Sequence, residues 1–137
     1  MWHDTMCHMA VDSAHAAPLT EHDVRRGVPV TTVTALAQSL QVPLPEMLEW
    51  LSISPRTWAR RKQSGALDML ESDRVARLGR LVRRTTQVLG HAADARTWLT
   101  TPNRSLQRRT PFQVASTEVG ADAVFQLLGR IDHGVFG

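Results

Sequence analysis

Hydrophobic residues along most of this chain recur three and four positions apart, which is the spacing of one face of an α-helix. The predicted helices cover residues 21–26, 32–40, 44–51, 55–63, 69–89, 92–99, 112–115 and 118–133. Ser54 and Thr117 stand where they can cap helices, Gly65 stands where it can end one, and Asp68 and Glu71 have capping-box spacing. No segment alternates with a period of two over a useful length, so the pattern predicts an all-α fold.

The helix predicted at 55–63 is short, rich in arginine and separated from the preceding helix by a three-residue turn. This arrangement is typical of a helix-turn-helix, with Trp58 expected to point inward against Leu48 and Leu51. The expected DNA-binding residues are Arg56, Thr57, Arg60, Arg61, Lys62 and Ser64. We expect the first three to read bases and the last three to contact phosphate. The alternative is an exposed basic helix on a protein interface.

The formal net charge of +3 conceals an uneven distribution along the chain. Residues 56–84 carry nine basic against three acidic residues, whereas residues 1–55 carry two against six. Positive charge confined to one region attracts polyanions, and arginine suits phosphate and guanine contacts. Arg77, Arg80 and Arg84 could extend a phosphate-binding surface or could form a solvated helix face.

Several classes of function are disfavoured by composition. No apolar run approaches the ~18–20 residues of a membrane span, and no signal peptide is expected at the N-terminus. The single cysteine, Cys7, excludes an internal disulfide and fits a reducing cytoplasm. The six histidines are scattered, and neither a metal-ligand spacing nor a glycine-rich phosphate loop occurs. We therefore expect no enzymatic activity, no metal and no cofactor.

Two segments carry bulky apolar and charged residues in an order that helix formation does not require: WLTTPNRSLQRRTP at 98–111 and GRIDHGVFG at 129–137. With ISPRTWARRKQSG at 53–65 and ESDRVARL at 71–78, they resemble the Xre/MbcA/ParS antitoxin family. The resemblance extends from Glu21 to Gly137. It implies a type II antitoxin that neutralises a RES-domain, NAD-degrading toxin by placing its C-terminal end at the toxin active site. It also implies that the protein represses its own operon by binding operator DNA as a homodimer.

The expected architecture is a flexible tail at 1–19, an Xre-like helix-turn-helix domain at 20–90 and a toxin-binding domain at 91–137. We expect an all-α fold in which the helix-turn-helix domain packs on the toxin-binding domain. The expected toxin-binding residues are Asn103, Arg104, Arg130, Asp132, His133, Gly134, Val135, Phe136 and Gly137. Asn103 and Arg104 are loop residues without an obvious packing role, whereas Trp98 and Leu99 are expected in the core. Burying Phe136 in the toxin would contribute about 1.5–3 kcal/mol. The alternative is that Phe136 folds back onto its own helices.

Two residues depart from the pattern of the family. Arg108 stands where the family usually has glycine, so a positive φ there would strain the loop. His133 stands where an aromatic residue commonly precedes the Gly-Val pair.

The alternative function is a stand-alone helix-turn-helix transcriptional regulator that responds to a ligand through its C-terminal half.

Overall fold

The computed structural model describes residues 18–134. The helices are α1 (Glu21–Arg26), α2 (Val30–Ser39), α3 (Leu44–Trp50), α4 (Pro55–Ser64), α5 (Met69–Leu89), α6 (Ala92–Thr100), a 3₁₀-helix (Arg104–Leu106), α7 (Pro111–Val114) and α8 (Glu118–Asp132). Only isolated β-bridges, and no strands, occur between residues 18 and 134. The prediction of an all-α fold is confirmed.

The chain divides into two compact units, and the division lies between Gly79 and Arg80. This position is inside α5, the longest helix. Residue 90, where we expect the domain boundary, directly follows the last residue of that helix. Most of the predicted N-terminal tail, like residues 135–137, lies outside the described residues.

The first unit is built around apolar side chains from all of its longer helices. Trp58 is 5% exposed, and Leu48 and Leu51 are buried as well, which confirms that Trp58 points inward. The backbone also ties the segment before α2 to the segment after α4, because Leu67 N–H donates to the carbonyl of Val28 at 2.9 Å. The other buried apolar residues of this unit are Val28, Val33, Ala37, Leu40, Met47, Trp50, Ile53, Leu67, Val75 and Leu78.

The second unit has its own apolar core. Its largest fully buried side chain is Phe112 of α7, next to the N-terminal proline of that helix. Leu99 is fully buried as expected, whereas Trp98 is only half-buried. The other buried apolar residues are Leu81, Val82, Ala95, Pro111, Ala115, Ala121, Val124, Leu127 and Leu128. Since α5, α6, α7 and α8 each contribute to this set, the spacing of hydrophobic residues accounts for the packing of this unit.

The start of α8 approaches the end of α7 so closely that only glycine fits at one position. A Cβ atom on Gly120 would lie 1.8 Å from the carbonyl oxygen of Val114. The N–H of Gly120 donates to the side chain of Thr117, the N-cap of α8, at 3.0 Å. The connection between α7 and α8 therefore depends on a residue without a side chain.

Candidate functional site

Capping residues stand at both ends of α4. The hydroxyl of Ser54 accepts a hydrogen bond from Thr57 N–H at 3.1 Å, and Pro55 occupies the first turn. Gly65 ends the helix with a φ of 90°, in the left-handed region that favours glycine. These caps define a ten-residue helix whose basic side chains keep a fixed spacing.

The exposed face of α4 carries most of the predicted DNA-binding residues. Arg56, Arg60, Lys62 and Ser64 are exposed, and Thr57 is half-buried. Neither Arg56 nor Arg60 forms an ion pair with another residue of the range 18–134. Because these two residues are four positions apart, their guanidinium groups share one face of the helix. This face presents unpaired positive charge to solvent.

Arg61 differs from its neighbours because its side chain binds within the protein. Its Nε donates to Oε1 of Glu71 at 2.7 Å, and its terminal nitrogen donates to Asp68 at 3.1 Å. The Arg61 side chain is 24% exposed and the Glu71 side chain only 8%. The hydrogen bond to Glu71 raises the pKa of the Arg61 guanidinium above its ordinary value. The structure therefore directs this cation toward the start of α5.

The two acidic partners of Arg61 also cap α5. Asp68 N–H donates to Oε1 of Glu71 at 3.0 Å, and Glu71 N–H donates to Oδ1 of Asp68 at 2.8 Å. The capping box predicted from the spacing of these residues is confirmed. We call Arg61, Asp68 and Glu71 the clasp. The Glu71 carboxylate accepts hydrogen bonds both from Arg61 of α4 and from the backbone of Asp68 before α5.

The loop between α6 and α7 is closed by Asn103. Its side chain accepts a hydrogen bond from Ser105 N–H at 2.9 Å and so caps the 3₁₀-helix. Its backbone pairs with the far end of the loop, since its N–H donates to Arg109 O at 3.0 Å and its carbonyl accepts from Arg108 N–H at 2.9 Å. Asn103 thus has a structural role that the sequence alone did not reveal. Arg104 is exposed.

The same loop requires left-handed backbone at two consecutive residues without glycine. Gln107 has a φ of 57° and Arg108 a φ of 62°. The left-handed region brings the Cβ atom of an L-residue close to the following carbonyl oxygen, at a cost of about 1–2 kcal/mol. The departure at Arg108 therefore falls at a position where glycine would be favoured.

We expect Arg108→Gly to raise the free energy of unfolding by about 0.5–1 kcal/mol, because glycine relieves the left-handed strain at a modest entropic cost. The control is Arg109→Gly at the neighbouring exposed position, which has no positive φ and should lose stability. Urea denaturation of both variants checks the prediction. Equal destabilisation by the two substitutions would contradict it.

The last helix ends in a cluster of the predicted toxin-binding residues. Arg130 is exposed, and Asp132 accepts a hydrogen bond from Arg84 at 3.3 Å. His133 is exposed and its N–H donates to Gly129 O at 3.0 Å, after which Gly134 has a φ of 73°. Gly134 therefore ends the helix, as predicted. The other predicted residues, Val135, Phe136 and Gly137, lie outside the described residues.

Within residues 18–134, no helix combines the length and hydrophobicity needed to cross a lipid bilayer. The same part of the chain contains no group of three His, Cys, Asp or Glu side chains that could bind a metal ion.

The fold and the basic helix define a two-part helical protein with a helix-turn-helix first and a second helical domain after it. Comparison with known families assigns both parts. The model of the antitoxin Xre-like helix-turn-helix domain matches residues 21–80, and that of the antitoxin Xre/MbcA/ParS C-terminal toxin-binding domain matches residues 84–134. The chain belongs to the Xre/MbcA/ParS antitoxin family.

Individual relatives agree with this assignment. The chain is 32% identical over 115 residues to an antitoxin Xre of Yersinia enterocolitica, covering 82% of this chain and 78% of the relative. It is 32% identical over 114 residues to an antitoxin Xre of Photorhabdus laumondii, covering 82% and 77%. An antitoxin Xre of Pseudomonas putida is 30% identical over 76 residues, which are 56% of this chain and 48% of the relative. These similarities support a type II antitoxin with a regulatory function.

Proposed function

We propose that this antitoxin neutralises a RES-domain toxin that degrades NAD, and that it represses its own operon by binding DNA as a homodimer in the cytoplasm. The observation that carries the proposal is the order of the two matched domains, with an exposed arginine face on the helix-turn-helix of the first. In this proposal neutralisation is achieved by binding and needs no cofactor.

The DNA-binding half of the proposal places α4 in the major groove. Arg56, Thr57 and Arg60 read base edges from the exposed face of the helix, and Lys62 and Ser64 contact phosphates. A bidentate contact from arginine to guanine is worth about 1–3 kcal/mol of discrimination. Arg61, which binds Glu71 at 2.7 Å, acts as a positioning residue for the helix in this scheme.

The toxin-binding half of the proposal uses the exposed loop residue Arg104 and the segment that follows α8. Arg130, Asp132, His133 and Gly134 lead into residues 135–137, which we propose enter the active-site cleft of the toxin. This part of the proposal rests on membership of the family. Because Asn103 closes its own loop through hydrogen bonds, we assign it the task of holding Arg104 toward the partner.

A crossed experiment tests both halves at once. Removing residues 135–137 should abolish protection of NAD from the co-expressed toxin and leave operator binding intact, because Asp132 and its bond to Arg84 remain. Arg60→Ala should weaken operator binding by about 5- to 150-fold and leave neutralisation intact, because it removes a base contact worth about 1–3 kcal/mol. NAD assays and operator titrations at one salt concentration provide the readouts.

Neutralisation that survives the truncation would contradict the proposed role of the final residues. Failure of the full chain to bind a RES-domain protein encoded beside it would favour the alternative, a stand-alone regulator that responds to a ligand. In that case operator binding should change on addition of a metabolite and not on addition of the toxin.

A further inference from the structure

A groove that the proposed function does not use lies within the second unit. One face of α5 forms one side of it with Arg80, Arg83, Arg84 and Gln87, and α8 contributes Asp122 and Phe125. The four α5 residues are spaced three and four positions apart, so they lie along one stripe of the helix. We call this surface the arginine groove. It is open to solvent, and the surface that it exposes is mostly apolar.

The charges of the arginine groove are mixed but positive in sum. Three guanidinium groups face one carboxylate of the lining, that of Asp122. The carboxylate of Asp132 binds Arg84 at 3.3 Å and partly neutralises it. Arg80 is exposed and forms no ion pair with another residue in the range 18–134. Arg80 is therefore the most exposed cation of the groove, since Arg83 and Arg84 are half-buried.

These features fit a protein segment better than a nucleic acid. A phosphate backbone binds to cations, and the carboxylates of Asp122 and Asp132 beside the arginines would repel it. The centre of a protein interface, by contrast, combines apolar area with arginine and is poor in lysine. Phe125, which is half-buried, supplies an aromatic ring to the groove.

We propose that the arginine groove is a docking surface for the toxin and receives a toxin segment in which an acidic residue flanks an apolar side chain. The apolar side chain covers Phe125, and the carboxylate pairs with Arg80 at the rim. The inference rests on the proposed function, since it takes the toxin as the occupant. It adds a contact region separate from the segment after α8, so that the antitoxin holds the toxin at two places.

The test uses the full-length chain, a RES-domain toxin co-expressed with it and a charge reversal at the rim. Arg80→Glu should weaken toxin binding by about tenfold or more, because it opposes like charges across the interface. Arg80→Lys keeps the charge and should lose little affinity. The matched control is Lys62→Glu, the same change of charge on α4, which should leave toxin affinity unchanged and weaken operator binding.

Toxin affinity measured by calorimetry and operator affinity measured on the same preparations separate the outcomes. Wild-type toxin affinity in Arg80→Glu would overturn the groove proposal while leaving the proposed function intact. A loss of operator affinity in Arg80→Glu, with toxin affinity unchanged, would assign the groove to DNA and overturn the proposal as well. If the wild-type chain binds no RES-domain protein, the proposed function itself fails.

Discussion

Replacing Gly120 by alanine is expected to destabilise the second unit by about 3 kcal/mol or more. The added Cβ would lie 1.8 Å from the Val114 carbonyl oxygen, 2.8 Å from the Val114 carbonyl carbon and 2.9 Å from Oγ1 of Thr117. Two of these atoms belong to the backbone, so no side-chain rotation relieves the overlap. Instead, the first turn of α8 must move away from α7 and loosen the buried Val124. Overpacking of this kind costs about 1–3 kcal/mol and occasionally more.

Gly129→Ala in the same helix is the matched control. A Cβ on Gly129 would meet no atom within 4 Å, and alanine favours the helix over glycine by about 0.5–1 kcal/mol. This variant should therefore be slightly more stable than the wild type. Urea denaturation of the three proteins gives the comparison, and equal stability of the two alanine variants would contradict the close approach of α7 and α8.

The fold could be predicted in large part because most of its helices carry their own signals. Helix α4, for example, has a capping serine before it, a proline in its first turn and a glycine after it. The 3₁₀-helix at Arg104–Leu106 was missed because its formation depends on the whole loop. The backbone of Asn103 pairs with that of Arg109 across the loop. These residues are six positions apart, so the short-range spacing of residues does not indicate the contact.

The basic surface shows where sequence reasoning about a site reaches its limit. A pattern of charge gives the number of arginines but not which of them face solvent. Arg61 follows Trp58 by three positions, so it shares the side of α4 that carries the buried tryptophan. That spacing, together with the acidic capping box at Asp68 and Glu71, is a signal that could have indicated an internal ion pair.

The second large effect is expected from Glu71→Ala. This substitution leaves the Arg61 guanidinium with Asp68 at 3.1 Å as its remaining partner in the clasp and removes the acceptor of Asp68 N–H. The loss of a helix cap costs about 0.5–2 kcal/mol, and Arg61, whose side chain is 24% exposed, keeps Asp68 as a partner. We therefore expect the free energy of unfolding to fall by about 1–2 kcal/mol. Asp73→Ala is the control, because Asp73 is an exposed acid of α5 whose pairing with Arg77 is worth less than about 1 kcal/mol.

Operator binding by the same variants distinguishes positioning from direct contact. If the clasp orients α4, then Arg61→Ala and Glu71→Ala should both weaken operator binding, and the double variant should be no weaker than the worse single one. The stability effects of the two substitutions should likewise be non-additive. If Arg61 instead contacts phosphate, Glu71→Ala would release its guanidinium from Glu71 and leave operator affinity unchanged or higher. Unchanged or higher operator affinity in Glu71→Ala would contradict the proposal that the clasp orients α4 for DNA binding. Additive effects of the two substitutions on stability would contradict it as well.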